Sequence, residues 1–182
     1  MPARPPIVVL DACVLANQTV ADLLLRLAED PQLILPRWSE EILGEVRRTH
    51  RKLAWPDALA ESWQEDVTAC FPEASFSAPA KLIARLRNQA KDRHVLGTAI
   101  ASKAESIVTF NLRDFPPSAL APWGVQAKHP DAFVLELLRR HPTEIIAKVE
   151  LMARRHGPVK TLAKLRRDLP TFAHALGPKM NH

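Results

Sequence analysis

Ile7-Val8-Val9-Leu10-Asp11 is the stretch on which the reading of the whole chain turns. Four apolar residues, three of them β-branched, end abruptly in a carboxylate. Polar residues do not alternate with the apolar ones, so a strand here is buried on both faces, as in parallel sheets covered by helices. Leu33-Ile34-Leu35 before Pro36, Ser106-Ile107-Val108-Thr109-Phe110 and Val125-Gln126-Ala127 read as further short strands. Helical patterns lie between them. Asn17 and Thr19 can cap a helix with Val20, Leu23, Leu24 and Leu27 at helical spacing. Ser39 caps a second through Glu40, Glu41, Ile42, Glu45 and Val46, whose early acids and later Arg47, Arg48, Arg51 and Lys52 suit the helix dipole. The stretch from Trp55 to Leu86 is helical with interruptions at Pro56, Pro72 and Pro79. A further helix opens at Asp92, carries Val95, Leu96, Ala99 and Ile100, and ends near Lys103. Strands alternating with helices imply an α/β fold, a three-layer sandwich around a mostly parallel sheet. After it, Pro130 suits the first turn of a helix holding Phe133, Val134, Leu137 and Leu138. More helix is expected around Thr143 to Arg155 and Val159 to Leu169.

The 182 residues suit one ordinary domain with an appendage, and 47% hydrophobic with 25% charged residues is a globular balance. No apolar run approaches the ~20 residues needed to span a bilayer. The run from Ile7 to Leu10 is too short for a signal-peptide core and leads into an acid, so a cytoplasmic protein is expected. Cys13 and Cys70 are the two cysteines and form no CxxC pair, which argues against a disulfide framework or a thiolate zinc site. Each reads as a small buried hydrophobe. The net charge of +5 is uneven: 15 basic against 17 acidic residues up to Leu138, and 10 against 3 from Arg139 to His182. Arg139, Arg140, Arg154, Arg155, Lys164, Arg166 and Arg167 make a basic region suited to phosphates or to an acidic protein partner.

In an open parallel sheet, ligands sit beyond the carboxyl ends of the strands, where the strand order reverses. Asp11 falls at one such end; Asn111 and Asp114 follow another. Glu45 and Asp92 lie on helices able to face the same crevice. Carboxylates gathered there repel one another unless a cation is bound, and oxygen-only donors suit Mg²⁺ or Mn²⁺. Such a site can hydrolyse phosphodiesters. Blander roles exist for each residue: a cap or turn for Asp11, Asp92, Asn111 and Asp114, and a solvated pair with Arg48 for Glu45. Glu41, one turn earlier, rivals Glu45. His94 reads as an exposed or supporting imidazole, and the four tryptophans as core or interface residues.

Four stretches, in order, resemble the motifs of PIN domains across roughly residues 5 to 127. Ile7-Val8-Val9-Leu10-Asp11-Ala12-Cys13-Val14-Leu15 resembles the opening strand and turn, with Ala12-Cys13 in place of the usual Thr-Asn. Ser39-Glu40-Glu41-Ile42-Leu43-Gly44-Glu45 resembles the helix carrying a single acid, in a register favouring Glu45. Asp92-Arg93-His94-Val95-Leu96-Gly97-Thr98-Ala99-Ile100-Ala101 resembles the third motif, and Ile107 to Pro116 the fourth. The resemblance implies a PIN-like nuclease domain over 4–128, followed by a basic helical extension over 129–176 and a flexible tail over 177–182. It implies a metal-dependent endoribonuclease of RNA, the VapC-type toxin of a bacterial toxin–antitoxin pair, inhibited by a cognate antitoxin and able to homodimerise. Carried over residue by residue, Asp11, Glu45, Asp92 and Asp114 hold Mg²⁺ or Mn²⁺, while Asn111 and Thr109 orient the site. Ala12-Cys13 removes two polar groups beside Asp11, which leaves the support of that carboxylate in question.

Other readings fare worse. A non-catalytic PIN-like module binding RNA or protein is the main alternative, although all four acidic positions are filled. An aspartate-nucleophile phosphatase needs a second Asp where Cys13 stands. No GxxxxGK[ST] phosphate loop occurs.

Overall fold

The computed structural model describes residues 4–177. Four short strands, β1 (Ile7–Leu10), β2 (Leu35–Arg37), β3 (Ser106–Val108) and β4 (Gln126–Lys128), form one sheet in the order β2-β1-β3-β4. Every pairing is parallel, with Val8 set against Pro36 on one side and Ser106 on the other. Val8, Val9 and Leu10 are fully buried, as the unbroken apolar run requires. Chain order and space diverge at β1. The chain moves outward to β2, then returns to the opposite side of β1 for β3, so a crevice opens beyond the carboxyl ends of β1 and β3.

β2 begins two residues later than the apolar run suggests and contains Pro36. It is an edge strand, and Leu35 directs its N–H inward to Pro6 O at 2.9 Å. The alternating proline therefore faces its missing N–H away from β1, where the ladder needs no donor.

The connections are helical. α1 (Ala12–Leu15) and α2 (Gln18–Ala28) follow β1. Asn17 caps α2, its side-chain oxygen accepting from Thr19 and Val20 N–H at 3.1 Å each. α3 (Glu40–Lys52) is capped by Ser39, whose hydroxyl accepts from Ile42 N–H. α4 (Asp57–Cys70) and α5 (Ala80–Ile83) lead to α6 (Arg93–Ala101), which packs on β1 and β3. A β-carbon on Gly97 of α6 would stand 2.9 Å from Ala78 Cβ, so α6 needs glycine there to seat against the loop before α5. α7 (Pro117–Leu120) links β3 to β4. The α/β sandwich with an all-parallel sheet agrees with the sequence expectation.

Four helices follow: α8 (Pro130–Arg140), α9 (Pro142–His156), α10 (Pro158–Asp168) and α11 (Pro170–Leu176). Each starts with a proline, whose missing N–H costs nothing in a first turn. α9 and α10 pack on α2, and one continuous core runs from Val8 to Leu176. Buried Lys148 of α9 donates to Glu29 O and Asp30 O, 3.3 and 2.8 Å away, at the end of α2. The sequence reading did not place α11. Its first turn lacks a local cap; the buried carboxylate of Asp131, on α8, accepts from Thr171 N–H at 3.0 Å and Phe172 N–H at 2.8 Å instead. Asp131→Ala is therefore expected to lower unfolding free energy by about 2 kcal/mol, at the upper end of cap losses because the acceptor is charged. Urea denaturation measures it, with Asp131→Asn losing less. Of the expected tail over 177–182, residues 178–182 lie outside the described residues.

His50 near the end of α3 is buried, stacked on Trp55 at 3.9 Å and edge-on to Trp63 at 5.2 Å. Burial lowers its pKa from 6.5, and its Nδ1 has no hydrogen-bond partner among the described residues. A histidine held neutral by the fold contributes fully above the unfolded-state pKa. That contribution is lost as pH falls from about 6.5 toward the lower folded-state value. In thermal melts, His50→Phe is expected to gain on the parent progressively below that pH and to run parallel above it.

Candidate active site

The candidate acids come from four segments: the end of β1, α3, the start of α6 and the turn after β3. Asp11 stands one residue past β1, its own N–H donating to Val108 O at 3.1 Å, which fixes the backbone between the two strands. It caps α1: Oδ1 accepts from Ala12 N–H at 2.7 Å. Oδ2 accepts from the Thr109 hydroxyl at 2.6 Å and from the Cys13 thiol at 3.2 Å. Thr109 is fully buried and in turn accepts from Asn111 N–H at 3.0 Å. The Cys13 sulfur also accepts from Phe110 N–H at 3.4 Å. Cys13 therefore supports Asp11 where the family pattern has other polar residues, a role that reading it as a small hydrophobe missed. Burial, then the charge of Asp11, pushes the Cys13 thiol up to about 12, so it remains a protonated donor at neutral pH.

Asp92 occupies the N-cap position of α6 but makes no capping hydrogen bond. Its side chain is 14% exposed and Oδ2 has no hydrogen-bond partner among the described residues. Burial raises its pKa; Lys91 opposes the rise, while Asp114 and Asp11 add to it. The reading of Asp92 as a simple helix cap thus finds no hydrogen bond here. Asp114 ends a 3-10 turn over Leu112–Asp114 and is 15% exposed. Asn111 precedes that turn, exposed, and its side chain does not cap it.

Glu45 sits in the middle of α3, half-buried, with His94 Nε2 3.5 Å from Oε2 and Arg48 3.8 Å from Oε1. Burial raises its pKa, against the lowering influence of His94, and the charges of Asp11 and Asp92 raise it further. Glu41 is exposed. Each acid predicted from sequence thus lies within electrostatic reach of at least one other: Asp11 of Glu45 and Asp92, and Asp92 of Asp114. Among the described residues, no three His, Cys, Asp or Glu side chains stand close enough to hold an ion as they lie. Without a bound cation, like charges so placed disfavour one another's ionised forms. The oxygen donor set, with an Asp92 oxygen that accepts no hydrogen bond, fits a hard divalent ion.

Lys91, absent from the sequence-derived site, reaches into it. Its ammonium donates to Asp114 Oδ2 at 3.0 Å and approaches Asp92 Oδ2 to 3.4 Å. A lysine immediately before a site acid was the available signal. The basic residues after Leu138 lie elsewhere. Arg155 and Lys164 line a cleft of about 430 Å³ with Trp55 and Trp63, a cleft that contains none of the four acids. No helix among the described residues is long and apolar enough to cross a membrane.

Comparison with known proteins adds three findings. A family profile described as PIN domain matches residues 7–113, which take in β1 through β3 and all the candidate acids except Asp114. Over 92 residues the chain is 44% identical to a Mycobacterium tuberculosis protein named "Putative ribonuclease VapC50". That match takes in 48% of this chain and 53% of the relative, so the chain spans about half of that protein's length. No solved structure matches.

Proposed function

The chain belongs to the PIN-domain family, and from that premise we propose that it is an endoribonuclease hydrolysing RNA phosphodiester bonds with bound Mg²⁺ or Mn²⁺. What supports the proposal is that Asp11 lies within electrostatic reach of Glu45 and Asp92, and that Asp92 and Asp114 share the Lys91 ammonium, with a buried Asp92 oxygen left without a hydrogen bond. Asp11, Asp92 and Asp114 would hold the cation, with Glu45 beside them. When bound, such a cation acidifies an attacking water and neutralises charge on the phosphoryl oxygens. The chain's own groups prepare the site. Thr109 and Cys13 fix the Asp11 carboxylate by donating to it. His94 Nε2 lies 3.5 Å from Glu45 Oε2.

The name of the mycobacterial relative supports a VapC-type ribonuclease. On that reading the partner is a cognate antitoxin, and homodimers form. RNA incubated with the purified protein and Mg²⁺ is expected to be cleaved, and an excess of EDTA to stop it; undiminished cleavage in EDTA sinks the proposal. One observation favours a second reading, a non-catalytic module binding RNA or protein: Lys91 already pairs with Asp92 and Asp114. An absence of Mn²⁺ binding at millimolar metal would support it.

A further inference from the structure

Lys91 is 64% exposed, yet its ammonium is drawn onto two carboxylates from separate elements, Asp92 before α6 and Asp114 after β3. A lysine in that position gives up side-chain freedom that water would otherwise allow it. What compensates is charge: both acids are largely buried, and the Asp92 carboxylate has burial against it and no capping bond to offset that. An ammonium is a compact point charge, so it offsets part of the charge of a pair of carboxylates without arranging them. A divalent ion brings twice the charge and orders its donors.

We propose that Lys91 is an internal counter-cation of the acid site, occupying Asp92 and Asp114 in the metal-free protein and giving way when a divalent ion binds. This rests on the metal-dependent reading above. Lys91 thereby sets metal affinity: it offsets part of the negative charge of the metal-free site and weakens binding by the interaction that must be surrendered.

The test is Mn²⁺ titration by calorimetry, with thermal melts in metal and in EDTA, on the whole chain and its Lys91→Met and Lys91→Arg variants. Lys91→Met is expected to bind Mn²⁺ roughly three- to tenfold more tightly, the scale of exposed ion pairs given up. It should melt below the parent in EDTA and level with it in saturating Mn²⁺. Lys91→Arg, which keeps the charge, should stay near the parent in both. If the parent binds Mn²⁺ and Lys91→Met binds it equally or more weakly, the counter-cation role is overturned while the ribonuclease reading stands. If neither binds Mn²⁺, both fall together.

Discussion

Asp11→Asn and Asp92→Asn are each expected to reduce RNA cleavage on the order of a thousandfold while leaving a folded protein. The two substitutions test different structural situations. Asp11 is tied down by Ala12 N–H, Thr109 and Cys13. Asparagine keeps an oxygen for the cap, and the Thr109 hydroxyl can rotate to accept from the new amide. Asp92 caps nothing, and its buried Oδ2 accepts no hydrogen bond and has only the 3.4 Å ion pair with exposed Lys91, so its amide removes charge at the loss of that pair alone. Metal-free Asp92→Asn is thus expected to melt at or above the parent. In both variants the missing charge is one the cation needs. By contrast, Thr109→Val leaves all four carboxylates and removes one of the three groups that hold Asp11, together with the acceptor of Asn111 N–H; losses of that kind around a metal site cost about 10- to 100-fold. Initial rates of cleavage at fixed Mg²⁺, beside melting temperatures, separate the two classes. Full activity in either Asp variant would remove that residue from the site.

Phe172→Ala is expected to lower unfolding free energy by about 3–5 kcal/mol, the cost of emptying a large buried aromatic site. That is a sizeable part of the about 5–15 kcal/mol that holds a typical domain together, and roughly a 10 °C fall in melting temperature. Phe172 is fully buried on α11, a helix of seven residues that packs on α8 and α10 and relies on Asp131 for its first turn. The last helices share the core that contains the sheet, in one unbroken cluster from Val8 to Leu176. A single cooperative transition shifted to lower temperature is the expected result. An unchanged main transition, with a separate early one, would mean the helices after Lys128 melt on their own.

The sheet was legible because β1 and β3 are buried on both faces and leave apolar runs without alternation. Helix starts were legible where the capping residue is local, as at Asn17 and Ser39. α11 was not, because its cap comes from Asp131, about forty positions earlier, and no local pattern carries that information. The edge position of β2 likewise hid Pro36, which a central strand would have excluded. Asp11, Glu45, Asp92 and Asp114 could be named from strand ends and helix registers. What their neighbours do could not. Cys13 looked like a small hydrophobe until its thiol was seen to lie between Asp11, Thr109 and the Phe110 N–H. Lys91 was not singled out, because its partner Asp114 lies 23 residues away along the chain.

Crystals soaked in Mn²⁺ and measured for anomalous scattering test the cation site most directly. The expected result is a peak in the crevice beyond β1 and β3, within coordinating distance of Asp11 and Asp92, that vanishes in Asp92→Asn. A fully soaked crystal with no peak there, or with manganese bound only at surface acids elsewhere, would contradict the account.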